Sequence, residues 1–271
     1  MFYNFIMFIM IILMLVAFLV PQLIGGLADM FLKLYIPHYE LGLMIAVLAA
    51  LYLWRYTKKR KMSIIRMSGK TAKMAVLFLL PQIINIIVSA VQFATGERIF
   101  GGFTFQVLIL SLMAGISEEV AFRAVPISYI MREKPKKSTI PLAAFITSLF
   151  FGAIHLTNMV GGVTFQMAAY QSISAFCAGM LYVAVFLRTK SILPTMICHF
   201  TNDVVGLMDA ENTTGGLITS VTFTYLEYID MVFAAAFLIT GIFLLRPSKH
   251  EEILTLWREQ TDEQPQSEEN T

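Results

Sequence analysis

Two adjacent glutamates, Glu118 and Glu119, stand inside an apolar stretch, with Arg123 one turn further on. Their flanks, Val107 to Met113 and Ala124 to Ile130, read as membrane helix. A carboxylate in hydrocarbon costs at least ~2.5 kcal/mol on insertion scales, so a chain that carries two there has a use for them. Positions i and i+4 share a helix face, and glutamate N-terminal to its cation is the favourable order. Glu119 and Arg123 therefore make a natural pair. The helical period turns Glu118 about 100° away from Glu119. It is left without a local partner, and a carboxyl free to take up a proton is what a general base requires. The spacing assigns Glu118 to chemistry, and Glu119 with Arg123 to structure. Taken alone, the pair suits a structural ion-pair network equally well.

Two further polar groups lie in apolar runs. In Phe151-Gly152-Ala153-Ile154-His155, Phe151 and His155 share a helix face, and Gly152 permits close helix approach. A lone buried histidine is often only a packing strut. In His199-Phe200-Thr201-Asn202-Asp203, His199 and Asp203 are one turn apart. A carboxylate can orient a histidine, or the two can share a metal. Glu118, His155, His199 and Asp203 form a two-histidine, two-carboxylate set of the kind that zinc accepts. Helical rise places the four at roughly 14 to 22 Å from the cytoplasmic helix ends, so they can converge near the bilayer middle.

Other intramembrane chemistries fit poorly. The chain has no His-Glu-x-x-His zinc motif, no Gly-x-Gly-Asp segment and no Gly-x-Ser-Gly around Ser117. No phosphate-cradling glycine loop and no nucleic-acid footprint are present. Cys177 and Cys198 sit in apolar runs and suggest no disulfide framework.

The elements that must position these groups follow from composition. The chain is 57% hydrophobic and 14% charged, with mean hydropathy +0.71. Soluble domains carry about a quarter charged residues. The fold expected is an all-α, polytopic membrane helical bundle. A span needs about 20 mostly apolar residues. Eight candidates appear, near 5–24, 38–54, 73–95, 103–130, 140–158, 166–188, 192–209 and 226–245; the second and seventh are short. The first run is too long for a signal-peptide core and is expected to stay in the mature protein.

Basic residues cluster in four connections: Arg55 to Lys73, Arg132 to Lys137, Arg188 with Lys190, and Arg246 with Lys249. Eight spans put all four on one side, and the positive-inside rule makes that side, with both termini, cytoplasmic. Residues 1–245 read as one transmembrane domain. Residues 246–271 read as a polar, acidic cytoplasmic tail, with a short interfacial helix near Ile253 to Trp257 and a disordered end.

The three motifs, in order, resemble the signature of the CPBP family, also called Abi. It includes the type II CAAX prenyl proteases and bacterial proteins linked to bacteriocin processing and self-immunity. The family pattern is Glu-Glu-x-x-x-Arg, Phe-x-x-x-His and His-x-x-x-Asn/Asp. Here these are Glu118, Glu119 and Arg123; Phe151 and His155; His199 and Asp203. The resemblance covers roughly 103–209, the catalytic core it implies.

It implies an intramembrane endopeptidase with a cavity opening to the cytoplasm. Glu118 would activate water with help from His155, and His199 with Asp203 would stabilise the oxyanion. The prenyl proteases commonly carry asparagine where this chain has Asp203. An ionised aspartate cannot donate to an oxyanion, so Asp203 would act protonated or orient His199, or Asn202 would serve instead. The family is often called metalloprotease, yet its better-understood members resemble glutamate-dependent enzymes. The expectation is that no cofactor is required, with zinc on the four-residue set as the alternative.

The expected partners are the lipid bilayer and a membrane-associated protein or peptide substrate, with no nucleic acid. The expected location is a bacterial plasma membrane. Two other functions stay open at this stage. One is a non-catalytic membrane scaffold, immunity factor or sensor. The other is a proton-coupled transporter, although the chain shows no inverted repeat.

Overall fold

The structure, a computed structural model, describes residues 9, 11–20, 23–24, 38–209 and 224–262. The expected N-terminal residues of the first span and the end of the acidic tail, 263–271, lie outside the described residues. All regular elements among those described are helical. They are α1 (Ile11–Val20), α2 (His38–Arg60), α3 (Gly69–Phe78), α4 (Leu80–Thr95), α5 (Phe105–Glu119), α6 (Val125–Glu133), α7 (Thr139–Ile154), α8 (Phe165–Thr189), α9 (Leu193–Leu207), α10 (Tyr225–Leu244) and α11 (His250–Asp262). The chain is an all-α, multi-pass membrane bundle.

Among the described residues, four helical segments are long and apolar enough to cross a membrane: Phe105–Glu133, Thr139–Val160, Phe165–Thr189 and Tyr225–Leu244. The span expected at 73–95 is instead two helices, α3 and α4, bent by 65°. Pro81 accounts for the break. It has no N–H to give Leu77, and its ring crowds that carbonyl. Helix α9 has 15 residues, consistent with the short seventh span.

The centre of the bundle is α8. From Leu181 to Leu187 no side chain is more than 1% exposed. A helix apolar all round must be enclosed by neighbours. Glycines let those neighbours come close. A Cβ on Gly152 would fall 2.6 Å from the Ser172 carbonyl oxygen, and one on Gly241 would fall 2.8 Å from Met180. These two contacts seat α7 and α10 on α8 by the small-residue packing that membrane helices use. Gly115 does the same for α5 and α9, with Phe200 Cβ at 2.9 Å.

The four basic connections gather at one end of the bundle. Arg132 donates to the Arg60 carbonyl at 3.2 Å, and Lys137 meets Glu251 at 2.9 Å. Arg188 meets Glu252 at 2.8 Å. Helix α11 closes this end. Ile253, Leu254 and Trp257 are at most 6% exposed, and the Trp257 indole donates to the Leu187 carbonyl at 3.0 Å. The tail helix expected at the membrane interface is longer than expected and packs into the core.

Candidate active site

Glu118 and Glu119 end α5, and the next five residues, Val120–Ala124, form a π turn. The sequence reading expects an unbroken α-helix here. Pro126 is the signal that explains the change. It cannot donate to Phe122, and its ring crowds that carbonyl, so the ladder loosens just before it. Such π insertions recur at functional sites. The Val125 N–H bonds back to the Val120 carbonyl across the widened turn.

The expected Glu119–Arg123 pair forms, with Oε1 and Nη1 3.1 Å apart and both side chains fully buried. The guanidinium nitrogens make no aligned hydrogen bond among the described residues. What covers the cation is aromatic: Arg123 Cζ lies 3.8 Å from the Phe151 ring centroid. A cation over a desolvated ring face gains about 2 kcal/mol. Gly179 supplies the room, since a Cβ there would fall 3.1 Å from Arg123 Nη2.

Glu119 has a second partner that sequence spacing did not reveal. His199 Nδ1, from α9, lies 3.0 Å from the same Oε1. An ionised glutamate only accepts, so Nδ1–H donates and the ring is fixed. The other ring nitrogen, Nε2, faces two carboxylates. Glu118 Oε2 is 3.7 Å away and Asp203 Oδ2 is 3.5 Å away. The His199–Asp203 pairing expected from one-turn spacing is therefore present. Fixing the ring through Nδ1, however, falls to Glu119.

Exposure divides the carboxylates. The Glu119 side chain is fully buried, whereas Glu118 is 19% and Asp203 is 23% exposed. His199 is itself buried at 6%; its Nδ1 side meets a sealed carboxylate and its Nε2 side two partly exposed ones.

His155 stands where α7 ends and a short 3-10 helix, His155–Gly161, begins. Its Nδ1 lies 2.9 Å from the Phe151 carbonyl oxygen, so Nδ1–H donates and Nε2 is left as the nitrogen that can accept a proton. Phe151 stands edge-on to both histidines, with centroids 5.2 Å from His155 and 5.7 Å from His199. No hydrogen bond or ion pair joins His155 to Glu118 among the described residues. Phe151 thus touches the Arg123 cation and both histidine rings, and packs against Phe122 with centroids 5.4 Å apart.

Asn202 points to another helix. Gln82 on α4 donates to Asn202 Oδ1 at 2.6 Å, and Gln82 is 1% exposed. The sequence reading missed Gln82. A glutamine inside an apolar run, next to Pro81, was the available sign. Tyr182 was missed as well; its ring lies 5.7 Å from that of His199, and it is 1% exposed.

As metal ligands the four expected residues do not form a ready-made set. Among the described residues no three His, Cys, Asp or Glu side chains are grouped to hold one ion. Carboxylates on one side of an imidazole whose far nitrogen is fixed are an arrangement that can transfer protons.

Residues 100–205 match the family model described as Rce1-like, Type II CAAX prenyl endopeptidase Rce1-like. The match spans all three motifs up to Asp203, so the resemblance drawn from them holds over this segment. It supports a CAAX-type intramembrane protease in general terms. Comparison with curated proteins and with solved structures gives no match.

Proposed function

We propose that the protein is an intramembrane endopeptidase that hydrolyses a peptide bond of a membrane-associated protein or peptide. Glu118, with His155, takes a proton from water, and the hydroxide attacks the scissile carbonyl carbon. His199, doubly protonated, gives Nε2–H to the oxyanion while Glu119 balances its charge. The Glu118 proton then passes to the leaving nitrogen as the C–N bond breaks. Asp203 acts through His199, because an ionised carboxylate has no hydrogen to give. Glu119, Arg123, Phe151 and Asn202 support the site.

The observation that carries this reading is the asymmetry around His199. Glu119 holds Nδ1 at 3.0 Å on the sealed side, and Glu118 stands 3.7 Å from Nε2 on the partly exposed side. No resident metal takes part in the proposed reaction; metal content of the purified protein, with activity measured after chelation, tests that point. By analogy with the family's bacterial branch, the site would act at a bacterial plasma membrane on bacteriocin or pheromone precursors, or in self-immunity.

The deciding experiment reconstitutes the purified chain with a fluorogenic peptide carrying a lipid anchor. Glu118→Gln and His155→Ala should each reduce cleavage by at least about 10²-fold, and Glu118→Gln should leave the melting temperature unchanged. A folded Glu118→Gln protein that cleaves at the unsubstituted rate, or that keeps its cellular function without cleavage, overturns the proposal and favours a non-catalytic role.

A further inference from the structure

The basic connections at the α11 end are not alike. Lys137 and Arg188 are paired with Glu251 and Glu252 on α11, and Lys249 meets Glu252 at 2.9 Å. The segment joining α2 to α3 is different. It carries Arg55, Lys58, Lys59, Arg60, Lys61, Arg66, Lys70 and Lys73, and the sequence holds no acidic residue from 41 to 96. Among the described residues none of these eight cations has a salt bridge, and seven are exposed; Arg60 is half-buried. Arg132 is tied to the Arg60 carbonyl beside them, but its charge is paired with Glu133 at 3.9 Å, so the unpaired charge is that of the α2–α3 segment itself.

The shape around these charges is that of a membrane surface. Helix α2 continues unbroken from an apolar stretch that ends at Leu53 into the basic run and ends at Arg60. Trp54 is 56% exposed, with Lys58 Nζ 4.9 Å over its ring. An exposed indole one turn below a lysine is an interfacial anchor. The loop beyond shows an apolar edge, with Ile65 38% and Met67 42% exposed on either side of Arg66. Ile64, immediately before Ile65, is fully buried, and its carbonyl accepts from Ile192 N–H at 2.9 Å. The loop is thus pinned to the bundle, and what it presents outward is apolar tips among cations.

We propose that the α2–α3 segment binds anionic phospholipid headgroups of the adjacent leaflet, with Trp54, Ile65 and Met67 seated at the interface. A juxtamembrane cluster of this size is attracted to an anionic surface, and the attraction fades beyond a Debye length. The pinning hydrogen bond runs to the start of α9, the helix that carries His199, so the lipid contact bears on a helix of the candidate site.

The test uses the full chain in nanodiscs, on a Trp257→Phe background that leaves Trp54 as the chain's one indole. Trp54 quenching is compared between brominated phosphatidylglycerol and brominated phosphatidylcholine at equal mole fraction. The expected result is at least about threefold stronger quenching by the anionic lipid. The ratio should fall to one in a Lys58→Gln, Lys59→Gln, Lys61→Gln, Lys70→Gln variant. Anionic lipid that copurifies with the chain still bearing Trp257 should show the same enrichment, which guards against loosening of α11.

Equal quenching by the two lipids in the intact chain overturns the proposal. So does a preference that appears only after removal of residues 263–271, because the acidic tail then covers the patch. Loss of the preference on adding inorganic phosphate at constant ionic strength marks a free-anion site and overturns it too.

Discussion

Glu119 Oε1 lies 3.0 Å from His199 Nδ1, joining residues 80 apart in the chain. The same oxygen is 3.1 Å from Arg123. One atom therefore links the internal pair of its own helix to the histidine of another. The buried ion pair does more than neutralise a cost. It fixes the rotation of the ring against which Glu118 and Asp203 are set, with Nδ1 toward Glu119 and Nε2 toward the other two.

This double duty separates the two glutamates experimentally. Glu119→Gln leaves Arg123 buried without its counter-charge, which costs about 3–5 kcal/mol. It should lower the melting temperature and accumulation of the protein along with its activity. Glu118→Gln should leave melting unchanged and reduce kcat about 10²- to 10⁴-fold, the usual contribution of a general base. Thermal melts in detergent beside a peptide-cleavage assay check both. Equal melting of the two variants would remove the division of roles.

The glycines make a second contrast. A Cβ on Gly152 would meet the Ser172 carbonyl oxygen at 2.6 Å, whereas one on Gly206 would meet nothing within 4 Å. Backbone cannot move aside as a flexible side chain can, and overpacking of this kind costs about 1–3 kcal/mol. Gly152→Ala should melt several degrees lower than the unsubstituted protein, and Gly206→Ala should match or exceed it. A destabilised Gly206→Ala beside a normal Gly152→Ala would contradict the packing of α7 on α8.

What could be read from sequence was local. One-turn spacing correctly paired Glu119 with Arg123 and His199 with Asp203, because helical period alone decides which side chains share a face. It marked Gly152 as a point of close approach for the same reason. Helical rise also allowed Glu118, His155, His199 and Asp203 to converge, but which atom meets which across helices was out of reach. Nothing in the spacing of residues 118–123 and 199–203 says that Glu119 rather than Asp203 holds Nδ1. Gln82 and Tyr182 belong to helices without a motif, so no pattern singled them out. The bend at Leu79 and the π turn before Pro126 were signalled by proline, but a proline in a membrane span is also compatible with a mild kink. Burial of α11 was missed because its acidic face, which pairs with Lys137 and Arg188, dominated its composition.

Gln82 supplies a test of how far the site extends. Its amide donates to Asn202 Oδ1 at 2.6 Å from a position 1% exposed. Gln82→Leu removes the donor, and a typical buried hydrogen bond contributes about 0.5–1.5 kcal/mol. Melting should fall modestly. If Asn202 helps to shape the site, kcat falls further than that loss explains while KM stays constant, and Gln82→Glu, kept as the acid, restores part of it. Unchanged kcat in a folded Gln82→Leu variant would confine Asn202 to packing.

Helix α11 should respond to pH through Glu252. The Lys249 ammonium hydrogen-bonded to it, and then the charge of Arg188, hold its carboxyl below the ordinary glutamate value of 4.5, against a smaller opposing effect of burial. Its neighbour Glu251 is held down in the same way by Lys137. A carboxyl whose value is depressed in the folded state adds stability above its unfolded value and loses it as pH falls through the folded one. Docking of α11 should therefore be pH-independent from neutrality down to about 4.5 and weaken below it. Because Glu252 is half-exposed, salt should reduce the effect. Trp257, buried against Phe186 with centroids 5.4 Å apart, reports the change. On a Trp54→Phe background its emission should shift to the red below that pH, and Glu252→Gln should make the emission nearly flat across the same range. A transition unchanged by Glu252→Gln would place the titrating group elsewhere.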